Sequence, residues 1–60
     1  MSISYTVERA GEEWRGLAWD TDEETGRRLC VGIAIGGTPA IAIHRAELRR
    51  QAIDKRLGFA

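Results

Sequence analysis

The stretch from Leu29 to Ile43 constrains the fold most, because large and small side chains alternate along it with a period of two. Such alternation predicts β-strands whose large side chains share one face. If residues 36–38 form a three-residue loop, Ile35 pairs with Pro39 and the stretch becomes a hairpin. In this pairing Cys30 faces His44. The large side chains are Leu29, Val31, Ile33, Ile35, Ile41 and Ile43.

Two further strands are predicted before this hairpin. Residues 2–8 alternate strictly between apolar and polar side chains, which is typical of a half-buried strand. Residues 13–20 fit a strand or a short helix, and two tryptophans and a central glycine favour the strand. On the strand interpretation Leu17 and Trp19 join the core face, and Trp14 lies on the face of small residues.

After His44 the pattern changes to that of a helix, from Ala46 to about Leu57, with Gly58 as its stop. The predicted fold is therefore α+β: a four-stranded antiparallel β-meander with one C-terminal helix packed on it, in a single domain of residues 1–60. The alternative is β-α-β-β-α, with residues 12–20 helical.

The predicted helix carries apolar residues on two nearly opposite sides, whereas a helix packed on one sheet needs a single apolar stripe. Either the second patch is small and partly covered by arginine stems, or it meets another chain, which makes a homodimer one expectation. One patch holds Leu48, Ala52 and Phe59, the other holds Ala46, Ile53 and Leu57, and Arg45, Arg49 and Arg56 lie between them.

Charge is distributed unevenly along the 60 residues, although the net charge is zero. Residues 1–26 hold seven acids and two bases, a net of −5, and residues 27–60 hold seven bases and two acids, a net of +5. The halves either neutralise each other or form two surfaces, at least one of which steers a partner. A single cysteine, no recognisable signal peptide and no long apolar run favour a cytoplasmic location.

Residues that could carry chemistry are few. Cys30 opposite His44 would be a minimal thiol nucleophile with its base, but no carboxylate is placed to orient the imidazole. Residues 20–26 begin like a calcium loop, yet Thr25 and Val31 occupy the positions that need glycine and glutamate. We therefore expect no enzymatic activity, no metal and no cofactor.

Two sets of residues are candidates for binding a partner. The first is an acidic turn with a tryptophan anchor: Trp14, Asp20, Asp22, Glu23 and Glu24. The second lies on the basic helix: Arg45, Leu48, Arg49, Arg50 and Arg56. Arginines could contact nucleic-acid phosphate, but the chain is not basic overall, so direct nucleic-acid binding is not the first expectation.

A short chain with polarised charge and no catalytic set resembles, in size and character, the small proteins that phages and mobile elements encode, including inhibitors of the anti-CRISPR type. The resemblance implies a non-enzymatic interaction protein in the cytoplasm of a bacterial host cell. There it would occlude a host protein complex, with the acidic half competing for a basic nucleic-acid channel. The alternative is a small dimeric regulator that associates with nucleic acid through its basic helix.

Overall fold

The computed structural model describes the backbone of residues 2–56 and the side chains of residues 2–53. Its elements are β1 (Ser2–Ala10), β2 (Glu13–Thr21), β3 (Arg28–Gly36) and α1 (Pro39–Arg56). The strands form one antiparallel sheet in the order β1-β2-β3. The α+β class with a C-terminal helix is confirmed, and residues 13–20 are a strand.

The prediction of a fourth strand is wrong, because the helix begins at Pro39 rather than at Ala46. Thr38 caps the helix: its Oγ1 accepts a hydrogen bond from the amide of Ile41 at 3.2 Å, and its carbonyl accepts one from the amide of Ala42 at 3.0 Å. Threonine is a favoured N-cap, and proline is favoured at the first helical position. The predicted hairpin and the pairing of Cys30 with His44 are therefore also wrong.

Both turns of the sheet contain a glycine with positive φ. Gly11, at φ 65°, begins a two-residue turn in which its carbonyl accepts a hydrogen bond from Arg9 Nε at 2.9 Å. Gly26, at φ 73°, lies in the turn between β2 and β3, and its amide donates to the carbonyl of Asp22 at 2.8 Å. Glycine adopts this left-handed conformation at little cost.

The helix lies against the face of the sheet that carries glycine and alanine in β2 and β3 and, by register, Tyr5 and Val7 in β1, here called the helix-side face. A Cβ on Gly32 would lie 2.6 Å from the carbonyl oxygen of Ala46, and one on Gly36 would lie 2.6 Å from the amide of Ala42. A Cβ on Gly16 would overlap the carbonyl of Ala42. The helix and the sheet therefore approach each other closely because these positions have no side chain.

The opposite face of the sheet, here called the outer face, carries Leu17 and Trp19, so their predicted place in the core is wrong. A register shift in β3 lies where β2 passes from Ala18 to Trp19. Before the shift Leu17 pairs with Ile33, and after it Trp19 pairs with Cys30. The shift moves Leu29 to the helix-side face, so the large side chains of β3 do not share one face.

The buried hydrophobic side chains among the described residues are those of Ala18, Ala42 and Ala46. No large side chain is fully buried in this part of the chain. Full burial of a leucine or isoleucine would contribute about 1.5–3 kcal/mol, and here each such side chain is buried only in part. Seven large hydrophobic residues are instead exposed: Ile3, Leu29, Ile33, Ile35, Ile41, Leu48 and Ile53.

Candidate interaction surfaces

The outer face has two central rows in which no residue is charged and most are apolar. Two successive cross-strand rows, Ser4–Trp19–Cys30 and Thr6–Leu17–Ile33, cross all three strands. Ile33 is 51% exposed, although it pairs with Leu17 about halfway along the strands. An antiparallel sheet commonly leaves one face to solvent, but that face is then usually polar. The apolar rows therefore mark the outer face as a candidate interaction surface.

Trp19 is held in place by neighbours on both sides. Its Nε1 donates a hydrogen bond to Thr6 Oγ1 at 2.7 Å. The guanidinium of Arg28 lies over its ring, 4.4 Å from the centroid. These contacts fix the indole before any partner arrives, which lowers the entropy cost of using it as a binding anchor.

The charged residues of the outer face lie on both sides of the two central rows, towards the ends of the strands. Glu8 and Arg15 face each other across β1 and β2 and form an ion pair at 2.6 Å. Glu13 lies beyond them, and Arg28 lies past Trp19. By register the face carries two acids and two bases, so its charges balance.

A second candidate surface is formed by Arg45, Leu48 and Arg49, here called the helix surface. Leu48 is 51% exposed and points away from Ala42 and Ala46, which face the sheet. An open groove of about 750 Å³ lies between this part of the helix and β3. Its lining consists of Ile33, Ala34, Ile35, Arg45, Leu48 and Arg49.

The predicted arginine set divides between two sides of the helix. Arg45 is exposed and its Nη1 donates to the carbonyl of Ile35 at 3.0 Å, while Arg49 is exposed at the groove. Arg50 is partly buried near Gly32 and forms an ion pair with Glu47 at 2.6 Å. The hydrogen bond from Arg50 lowers the pKa of Glu47 below its usual 4.5, opposed by partial desolvation. The side chain of Arg56 lies outside the described residues.

The acidic turn is braced by its own hydrogen bonds. Asp22 Oδ1 accepts from the amide of Glu24 at 2.9 Å, and Glu23 Oε1 accepts from Ser2 Oγ at 2.7 Å. Arg27 and Arg28 follow directly, so residues 22–28 carry three acids and two bases, a net charge of −1. The turn is therefore nearly neutral as a unit.

The structure does not bring the other two residues of the first predicted set into one site with this turn. Trp14 lies near the opposite end of β2, where it pairs with Gly36 and the guanidinium of Arg9 lies 5.0 Å from its ring centroid. Asp20 is close to the turn but lies on the helix-side face, with Oδ1 buried and without a hydrogen-bond partner. Five residues separate Trp14 from Asp20 along the strand, which places them about 20 Å apart.

The thiol and imidazole singled out in the sequence also lie on different elements. Cys30 is exposed on the outer face beside Trp19, and His44 is exposed on the helix. No group of three or more His, Cys, Asp or Glu that could hold a metal is found in residues 2–53. Within the described part of the chain, no helix has the length and apolar character needed to cross a membrane.

Sequence reasoning missed Trp19 and the outer face, because it assigned the large side chains to the core. Two local signals were available. Thr38-Pro39 is an N-cap followed by a first-turn proline, and Ala42 and Ala46 are four residues apart, as residues on one helix face must be. Comparison with protein-family models, with curated proteins and with solved structures gives no match for this chain.

Proposed function

We propose that this protein is a non-enzymatic protein-interaction module. The observation that carries the proposal is the inversion of its apolar side chains: alanines are buried, while seven large hydrophobic residues are exposed. A domain of 60 residues already buries only about 60% of its unfolded surface. These seven residues are 38–69% exposed, so the burial energy of their exposed parts can still be gained on contact with another protein.

The helix surface is the part that we assign to a partner of a different kind. Leu48 supplies an apolar anchor, and Arg45 and Arg49 flank it on the groove side. The described residues one turn away from Leu48 are His44, Arg45, Gln51 and Ala52, and none of them is acidic. The surface therefore complements a protein surface with an apolar pocket and acidic side chains around it.

The acidic turn supports the proposal less well than the helix surface does. Its net charge is small once Arg27 and Arg28 are included, and the carboxylates of Asp22 and Glu23 are already hydrogen-bonded. Competition for a basic nucleic-acid channel would need a larger uncompensated charge. The anti-CRISPR type of inhibitor and a host complex as its target stay predictions from the resemblance.

A dimeric nucleic-acid regulator is the second candidate, and the exposed arginines of the helix favour it. Of the four arginines predicted for that role, however, Arg50 is paired with Glu47. Arg45 and Arg49 remain exposed, and Arg45 also donates to a strand carbonyl. Among the residues whose side chains are described, these two cations would give only a weak phosphate contact.

The test is capture of partners from a bacterial lysate by the tagged protein, with identification by mass spectrometry. Leu48→Glu and Arg49→Glu should each lower recovery of the specific partner at least tenfold, because they place a carboxylate where we expect an acidic surface. Both positions face solvent, so circular dichroism should show an unchanged fold.

Leu29→Glu is the matched control, because Leu29 is 69% exposed but lies away from the helix surface. It should leave the recovery unchanged. Equal recovery by the wild type and by both helix variants would contradict the assignment. Retention of duplex DNA at moderate salt, lost in Arg49→Glu, would favour the nucleic-acid regulator instead.

A further inference from the structure

We infer that the outer face pairs with the outer face of a second copy of this chain. In the resulting dimer two sheets pack face to face and the two helices lie on the outside. Three properties of the molecule favour a second copy as the binding partner of this face. They are the large accessible surface of the chain, the balanced charges of the outer face and the fixed position of Trp19.

The first argument is area. The accessible surface of the chain is 4492 Å². A compact monomer of 6.7 kDa is expected to expose about 3900 Å². The chain as a whole thus exposes about 600 Å² more than this scaling predicts, and a standard interface would bury roughly 800 Å² of each partner. The outer face of the sheet measures about 15 by 30 Å, and the side chains that protrude from it add to its accessible area.

The second argument is charge. A two-fold axis places like positions near each other, so a face with one sign of charge would repel its copy. The outer face carries Glu8 and Glu13 against Arg15 and Arg28, and its two central rows are uncharged. An apolar centre with balanced charges at its ends is the composition expected of a self-complementary interface.

The third argument is the anchor. Trp19 is fixed by Thr6 and Arg28, and Leu17 and Ile33 lie in the adjacent row. Rigid aromatic side chains surrounded by aliphatic ones dominate the energetics of protein interfaces. Sheets that pack face to face lie about 10 Å apart, so side chains of this size from both copies interdigitate in the gap.

The dimer and the proposed partner site have different central residues. Leu17 and Trp19 lie on the central strand of the outer face, whereas Leu48 and Arg49 lie on the helix, on the other side of the sheet. Ile33 and Ile35 border both surfaces because β3 is an edge strand. The dimer would therefore present two helix surfaces outward, and loss of one interaction need not remove the other.

The first measurement uses the wild-type protein over a range from low micromolar to submillimolar concentration. Sedimentation equilibrium should show a shift from 6.7 kDa towards twice that mass. The melting temperature should rise with protein concentration, as it does for an obligate dimer. A chain that stays folded at the monomer mass throughout this range, with a constant melting temperature, would overturn the inference.

The second measurement locates the interface without a substitution in it. Cys30 is exposed on the outer face beside Trp19. Dimerisation should cover it, so its rate of labelling by an aromatic disulfide reagent should fall at least tenfold as protein concentration rises. A labelling rate that does not change while the mass doubles would place the dimer interface elsewhere and overturn the inference.

Variants separate the two surfaces. Leu17→Glu should weaken dimerisation at least tenfold, while Leu29→Glu and Leu48→Glu leave it unchanged. If Leu17→Glu unfolds at low concentration, the wild-type mass and Cys30 labelling still decide the question. If Leu48→Glu were monomeric and Leu17→Glu remained a dimer, the dimer interface would lie on the helix, and the inference would be contradicted.

Discussion

The two faces of the sheet are built from the same three strands, yet they differ in the size of the side chains at the centre of β2 and β3. On the helix-side face Gly16, Ala18 and Gly32 let a helix approach until backbone meets backbone. On the outer face Leu17 and Ile33 form a row that no element among residues 2–56 covers. The helix thus covers the part of the sheet that has the smallest side chains.

This difference shows that a helix can pack closely on a sheet without burying large apolar side chains between them. A helix on a three-stranded sheet can be positioned by an absence of side chains, through backbone contact over a wide area. Large side chains at Gly16, Gly32 and Gly36 would have held the helix away from the sheet. On the other face they remain available for contact with another chain.

The largest expected effect on stability comes from adding a side chain where the helix contacts the helix-side face most closely. Gly16→Ala places a Cβ against the carbonyl of Ala42, which is backbone and cannot rotate away. We expect a loss of about 3 kcal/mol in the free energy of unfolding, measured by urea titration, because overpacking of this kind forces backbone shifts. That is much of the roughly 3–9 kcal/mol expected for a 60-residue domain.

Gly37→Ala is the control, because a Cβ there meets nothing within 4 Å and Gly37 does not have positive φ. It should change the free energy of unfolding by less than about 0.5 kcal/mol. Equal losses from both substitutions would show that glycine flexibility, rather than close approach, matters at these positions.

A smaller effect is expected from removing the cap that makes residues 39–43 helical and so creates the helix-side face. Thr38→Ala leaves the amide of Ile41 without its side-chain acceptor. The free energy of unfolding should fall by about 1 kcal/mol, and Thr38→Asp should restore it, since aspartate is an equally good cap. An unchanged stability in Thr38→Ala would contradict the role of Thr38 as the N-cap.

On the outer face, Trp19→Phe tests whether the indole is fixed by its hydrogen bond to Thr6. The expected loss is about 1 kcal/mol, the usual net contribution of such a bond. Thr6→Val should cost a similar amount, and the double variant should cost little more than either single one. Strictly additive losses in this cycle would mean that the two side chains act independently.

The smallest effect concerns pH, at the ion pair of Glu47 with the partly buried Arg50. The folded state lowers the pKa of Glu47, so its contribution to stability is present above its usual value of 4.5 and is lost as pH falls through the lower folded value. Its size is about 0.5 kcal/mol or less, as expected for a partly exposed pair three residues apart.

Glu47→Gln should therefore be slightly less stable than the wild type at neutral pH, and the difference should vanish in acid. The comparison needs urea titrations of both proteins at each pH. A difference that persists well below the folded pKa would show that packing, not charge, accounts for it.

The sequence by itself determined β1, β2, β3 and a helix at the C-terminus. Strict alternation identified β1 and β3, the tryptophans and a central glycine favoured a strand for β2, and the helical pattern after His44 indicated the helix. Residues 39–43 were read wrongly because Ala-Ile-Ala-Ile fits both periods, and the N-cap at Thr38 decides between them.

Only the tertiary structure decided which face of the sheet is buried. Period-two alternation divides a strand into two faces but does not say which one a helix will cover. Here the register shift after Ala18 and the backbone contact at Gly16, Gly32 and Gly36 decide it. For the same reason Trp19, which the sequence assigned to the core, lies on the outer face in the structure, because its local sequence fits either face.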